Sequence, residues 1–236
     1  MKARIIFDKD SINGDFFKGW GVSFLIDNDI LFDTGENFDY LNQNFSRMGV
    51  DLRSIKKIVI SHEHWDHTSG LWEIIKDNKD IIVYGCLNFS DRFKNKVKAA
   101  GAKLVMVKDF CLIGKNIYSS GEVLSNYKGA NIPEQSLVIL TDSDVVLVCG
   151  CAHAGILDLI GRVQDSLNKQ VTFVLGGLHL LDKDRRTLDY IVKKMLSGGV
   201  RKIAPSHCTG YDAVFLLKEY YKDNYIEVKA GGDIEI

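Results

Sequence analysis

The chain has 236 residues, 46% of them hydrophobic, enough to bury one substantial core, so a single α/β domain over residues 1–236 is expected. Its 30 basic and 31 acidic side chains nearly cancel, which removes the global field that would draw a nucleic acid. Ile5-Ile6-Phe7 is too short for a signal-peptide core, no later run is long enough to span a bilayer, and five cysteines without framework spacing read as reduced thiols, so a cytoplasmic protein without membrane contact is expected.

In chain order, Ser23 to Asp33 reads as two apolar strands joined by an Asx-rich turn at Asp27-Asn28-Asp29, and it ends in Asp33-Thr34-Gly35. Leu41, Phe45 and Met48 follow at helical spacing, then the β-branched run Ile58-Val59-Ile60. That run leads into His62-Glu63-His64-Trp65-Asp66-His67, which holds three of the six histidines and two carboxylates. Imidazoles so crowded would repel one another if protonated, and their density at a strand end marks a metal site. Alternation along a strand sets His62 and His64 on one side, and a turn at Trp65 brings Asp66 and His67 round to a second, adjacent ion, so two metals are expected. The helical zinc pattern His-Glu-x-x-His does not fit, because position 66 is aspartate and the segment follows a strand.

Beyond this loop, Thr68-Ser69-Gly70 precedes the pattern Leu71, Trp72, Ile74 and Ile75, and reads as a helix start with a hydroxyl cap. Arg92, Lys94, Lys96, Lys98, Lys103 and Lys108 form either a solvated helix face or a holder for phosphate or carboxylate. Ser136 to Cys149 is again a pair of apolar strands around an Asx-rich turn. It is followed by Cys151 and His153, a helical pattern at Leu157, Ile160, Val163 and Leu167, and a run from Val171 to Leu175 that leads to His179. This echoes the first segment, so the chain reads as two pseudo-symmetric β-β-α-β halves whose sheets pack face to face, helices outside, with every histidine on one edge. A chance likeness of two hairpins is the alternative. A last strand start, Lys202-Ile203-Ala204-Pro205, precedes His207, and Thr209-Gly210 reads as a second capped helix start; two helix N-termini then face the site and favour anions near Thr68 and Thr209.

His62-x-His64-x-Asp66-His67 resembles the His-x-His-x-Asp-His motif of the metallo-β-lactamase superfamily. Leu31-Phe32-Asp33-Thr34-Gly35, Cys149 to Gly155, Gly176 to Leu180 and Ser206 to Gly210 resemble blocks of the branch that includes the archaeal dihydropterin ribofuranosyl-aminobenzene phosphate synthases. The resemblance runs from about Gly21 to Gly210. It implies the αββα sandwich, a first ion on His62, His64 and His153, a second on Asp66, His67 and His207, and hydrolysis by a metal-bound hydroxide that Asp66 holds. Zinc is the expected metal; histidine and carboxylate also serve iron and manganese. Asp33 is expected to accept a hydrogen bond from a liganding imidazole, unless it only forms the turn. His179 reads as a substrate contact or proton donor, or as a partner to the ligands.

The chain departs from the family where a Gly-Asp pair usually bridges the ions: no histidine lies between His67 and His153, and Cys151 takes the aspartate's place. Cys151 is thus a further candidate ligand, or a small residue packed beneath the site. The implied function is a dinuclear hydrolase of a small anionic ester, phosphoester or lactone. A pterin-related transferase that displaces diphosphate with an arylamine, and a non-catalytic metal-containing binding protein, are the alternatives. Oligomeric state is not legible.

Overall fold

Runs without a polar interruption form strands covered on both faces. In the computed structural model, which describes residues 1–236, Leu31 and Phe32 are both fully buried, as are Ile58 and Val59. Successive side chains point to opposite faces, so Leu31 and Ile58 enter the outer core while Phe32 and Val59 enter the inner one.

Strands β1 (Lys2–Phe7), β2 (Ser23–Ile26), β3 (Ile30–Phe32), β4 (Lys57–Val59), β5 (Ile82–Cys86) and β6 (Lys103–Val107) lie side by side in one sheet. After them come β7 (Cys111–Gly114), β8 (Ile117–Ser119), the separate hairpin β9 (Val123–Tyr127) and β10 (Ala130–Glu134), then β11 (Leu137–Leu140), β12 (Val145–Cys149), β13 (Phe173–Gly177) and β14 (Lys202–Ser206); the last strand, β15 (Asp233–Glu235), closes the first sheet beside β1. The second sheet runs β14-β13-β12-β11-β8-β7. Between the sheets, Phe24, Phe32 and Val59 meet Val146, Val148 and Phe173.

Helices α1 (Phe38–Arg47), α2 (Trp65–Thr68), α3 (Leu71–Asp77) and α4 (Asp91–Ala99) belong to the first half. Helices α5 (Ile156–Leu167), α6 (Arg185–Ser197) and α7 (Tyr211–Tyr221) belong to the second. Leu41, Phe45, Ile75 and Phe93 cover the outer face of the first sheet, and Ile160, Leu188 and Leu216 cover that of the second. The result is the expected αββα sandwich.

The two halves match in topology. Strands β2 and β3 pair antiparallel and β3 and β4 parallel; β11 and β12 pair antiparallel and β12 and β13 parallel, with α1 and α5 as the crossovers. One detail differs from the sequence pattern: Leu157 and Leu167 are only partly buried, and the docked face of α5 is Ile156, Leu159, Ile160 and Val163. Both sets satisfy helical spacing, and the sheet selects the one that starts at the first helical residue. All five cysteines are free thiols. No helix is long and apolar enough to cross a membrane.

A buried carboxylate ties the second sheet together. Asp144 accepts from Thr172 Oγ1 (2.8 Å), Arg201 (3.2 Å) and Lys202 (3.1 Å) at the start of β12. Burial pushes its carboxyl up, and bonds from Thr172, Lys202 and Ser143 outweigh that, leaving its pKa below the usual range. A depressed pKa contributes stability above the unfolded value, near 3.9, that is lost as pH falls through the folded one. Asp144→Asn is therefore expected to cost about 1–2 kcal/mol at neutral pH, the exposed cations being screened. The difference in melting temperature from wild type should shrink below about pH 3.

Candidate metal centre

The sequence places its chemistry where parallel strands end, the edge at which α/β sheets bind ligands. Past β4, the Ser61 N–H donates to Asp33 Oδ1 and its hydroxyl to Asp33 Oδ2, both at 2.7 Å. With that proton committed, Ser61 Oγ accepts from His62 Nδ1 (2.9 Å), which leaves His62 Nε2 as a lone pair. It faces His64 Nδ1 at 3.0 Å and His153 Nε2 at 3.2 Å. Gly150 makes this approach feasible: a Cβ there would lie 2.1 Å from Ser61 Oγ.

The short helix α2 turns the next two donors inward. His67 Nδ1 donates to Asp33 Oδ2 (2.6 Å), and its Nε2 lies 3.4 Å from Asp66 Oδ2 and 3.4 Å from Cys151 Sγ. His207 Nε2, from the end of β14, is 3.2 Å from Cys151 Sγ and 3.9 Å from Asp66 Oδ2. The structure thus gathers His62, His64 and His153 into one triad and Asp66, His67 and His207 into another, each with donor atoms within 4.8 Å of one another. Cys151 stands between them, within the same distance of His62 and His67. Asp33 bonds His67, as the sequence reading requires of an orienting acceptor, and it also forms the turn, in left-handed backbone at φ 57°.

These residues fit divalent cations. Burial and neighbouring imidazoles hold His62 well below the usual histidine pKa and take His153 down to about 3, so both present lone pairs at neutral pH. Burial alone would lower His67, but Asp33 at its Nδ1 and Asp66 at its Nε2 push it up to about 10, so the carboxylates on either side of the ring favour positive charge at this spot. Three converging ring nitrogens, and a buried Asp66 carboxylate facing His67 Nε2 and His207 Nε2, are what a cation satisfies. Replacing Asp33 by asparagine, which weakens its hold on His67, should cost roughly 10-fold to 100-fold in metal affinity with an unchanged circular dichroism spectrum. Loss of the folded spectrum would make Asp33 structural instead.

His179 reaches the same edge through left-handed backbone (φ 50°), its ring 4.4 Å from His153 and 4.8 Å from Tyr127. Its Nδ1, like those of His153 and His207, is buried without a partner. The expected threonine caps are not there. Thr68 ends α2 and donates to the His64 carbonyl; Thr209 donates to the Ser206 carbonyl; Gly70 and Gly210 start α3 and α7 without a side-chain cap. Each hydroxyl donates within its own turn, so neither Thr68 nor Thr209 caps the helix that follows it.

Two buried carboxylates escaped the sequence reading. Asp8 accepts from the Ser206 hydroxyl (2.7 Å) and the His207 N–H (3.3 Å), fixing the loop that carries His207. Glu134 accepts from the Ala154 N–H (3.3 Å) beside His153. Burial raises both, Asp8 to about 6 and Glu134 to about 7. The only signal for Asp8 is that an acid ends the apolar strand Ile5-Ile6-Phe7.

The donors open into a cleft of about 270 Å³ walled by Trp20, Trp65, Tyr127 and Leu181, with Asp182 also lining it. Neither lysine nor arginine lines it; Lys128 stacks on the Tyr127 ring at 5.0 Å. Gly21 holds Trp20 close to α2, since a Cβ there would lie 1.8 Å from the Asp66 carbonyl oxygen.

Comparison with known proteins agrees with this fold. Residues 21–94 match the model of the metallo-beta-lactamase superfamily. The chain is 27% identical to the 7,8-dihydropterin-6-methyl-4-(beta-D-ribofuranosyl)-aminobenzene-5'-phosphate synthase of Methanocaldococcus jannaschii, over 95% of this chain and 92% of that one. Among solved structures, a metal-dependent hydrolase of the beta-lactamase superfamily superposes with a TM-score of 0.84 at 28% identity, covering 100% of this chain and 99% of the other. YhfI of Bacillus subtilis, at 14% identity and a TM-score of 0.70 over 99% of each chain, shares the fold.

Proposed function

We propose that this chain, whose residues 21–94 match the metallo-beta-lactamase superfamily and which superposes along its whole length on a metal-dependent hydrolase of that superfamily, hydrolyses a small anionic ester, phosphoester or lactone with two divalent cations, zinc foremost. The observation that carries this reading is the pair of donor triads around Cys151 at the base of an aromatic-walled cleft. His62, His64 and His153 would hold one ion, and Asp66, His67 and His207 the other. Bound there, the ions supply Lewis acidity, positive charge toward the anionic substrate and a more acidic water.

The protein's own groups do the rest. Asp66, whose pKa lies below the usual carboxylate range because bonds and charges from His67 and His207 outweigh burial, stays ionised and orients the attacking water. His179 lines the cleft and hands a proton to the leaving group. Trp20, Trp65 and Tyr127 press on an apolar or aromatic moiety and exclude bulk water from it.

The test is metal analysis of the purified protein with product analysis on aryl esters, phosphomonoesters, phosphodiesters and lactones. Turnover that is lost on chelation and restored by zinc, iron or manganese is the expected result. Similarity to the archaeal synthase along 95% of the chain favours a second reading, displacement of diphosphate from a pterin by an arylamine. A condensation product formed only when arylamine is present would select it.

A further inference from the structure

The metal loop has a second face. Glu63 and Trp65 lie between the donors in sequence and Thr68 follows them, and with Trp72, Arg92 and Lys96 they line a separate pocket of about 360 Å³. Trp65, 59% exposed, lines both this pocket and the metal cleft and is the wall between them.

The chemistry on the two sides of Trp65 is opposite. The cleft presents Asp66 and Asp182 and no cationic side chain. The outer pocket presents Arg92 and Lys96, one helical turn apart on α4, and neither makes a hydrogen bond or an ion pair. Lys96 Nζ lies 3.8 Å from the centroid of the Trp72 ring, and Phe93 meets that ring edge-on at 5.5 Å. Glu63, the one acid in the lining, has both oxygens engaged at 2.6 Å by the N–H and hydroxyl of Ser90, a contact that fixes the start of α4 against the metal loop. Burial and then the Arg92 guanidinium lower the Lys96 ammonium pKa, against a smaller opposing pull from Glu73. Two free cations beside an indole face are suited to a phosphate or carboxylate attached to a flat ring.

We propose that this pocket is the anion-holding subsite of the adjoining cleft, taking the ring-bound phosphate or carboxylate end of the substrate while the scissile bond lies at the donors beyond Trp65. The proposal rests on the hydrolytic reading of the cleft. It implies a substrate with an anionic aryl group at one end and the reacting ester at the other. The other lysines of α4 take no part: Lys94 lies 4.0 Å from Asp91, and neither it nor Lys98 lines the pocket.

The three tryptophans report separately on the test, since Trp20 lines only the cleft, Trp72 only the outer pocket and Trp65 both. The metal-loaded protein, labelled with 15N, is titrated with phenyl phosphate and, in a second arm, with benzoate. The Trp72 and Trp65 indole signals are expected to move saturably, and the tighter probe identifies the anion. In the R92A/K96A double variant, whose changes lie on the surface of α4, the affinity read from Trp72 should fall by roughly tenfold or more with metal content unchanged. Movement of the Trp20 signal alone, or an equal Trp72 response in the double variant, overturns the proposal. Absence of turnover with the Trp72 response intact counts against the hydrolytic reading alone; turnover with no Trp72 response counts against the subsite alone.

Discussion

Replacing His64 with alanine should leave the purified protein about one metal ion short per chain and reduce turnover by roughly a thousandfold or more, the scale of losing one ion's charge stabilisation. His64 contributes Nδ1 to the triad with His62 and His153. Its side chain does not cap α2; its carbonyl does, accepting from the His67 and Thr68 N–H groups. Alanine keeps that carbonyl, and Ile58, Val59 and Ile60 beneath the loop are fully buried and apolar. The fold and melting behaviour of the metal-free protein should therefore match wild type. Wild-type metal content in the variant would remove His64 from the ligand set.

Cobalt substitution of the wild-type protein should give a strong near-ultraviolet sulfur-to-metal band, and Cys151→Ser should abolish it and weaken metal binding. Burial pushes the Cys151 thiol well above its usual pKa, so only a cation at its sulfur makes it a thiolate. His67 Nε2 and His207 Nε2 of the second triad lie 3.4 and 3.2 Å from that sulfur, and a donor atom of His62 in the first triad lies within 4.8 Å of it, so one atom faces both triads. A serine hydroxyl is a harder and poorly ionised donor, whereas Cys151→Asp should retain two ions by supplying a carboxylate. If the fully loaded wild type lacks the band, Cys151 only packs; serine is then nearly silent and aspartate harmful, because a buried unpaired carboxylate is costly.

Much of the architecture was legible because apolar runs covered on both faces leave few alternatives. Ser23–Ile26 with Ile30–Phe32, and Leu137–Leu140 with Val145–Cys149, follow the two hairpins read from sequence, and their common order of pairing gives physical content to the internal echo. The gathering of His153 and His207 beside the metal loop follows from strands ending on one edge. The face of α5 was not legible, since Leu157 and Leu159 satisfy helical periodicity equally well until a sheet chooses between them. Thr68 and Thr209 misled because a hydroxyl next to a glycine can cap the following helix or bond its own preceding turn, and only the path of the chain decides. Asp8 and Glu134 were invisible for a related reason: their partners, Ser206 and Ala154, are far away in sequence, and a single acid in a strand carries no periodic mark. The outer pocket arises from α3 and α4 meeting beside Trp65, a juxtaposition that no local pattern encodes.

The donors are divided between the two sheets: His62, His64, Asp66 and His67 follow β4, while Cys151, His153 and His207 follow β12 and β14. A cation shared across that division would act as a rivet. Its affinity becomes cohesion between the halves, because prying them apart means surrendering the ion, and that cohesion grows with the logarithm of free metal. Metal scarcity would then loosen the sandwich from its donor edge, making the supply of the ion a determinant of how long each molecule survives.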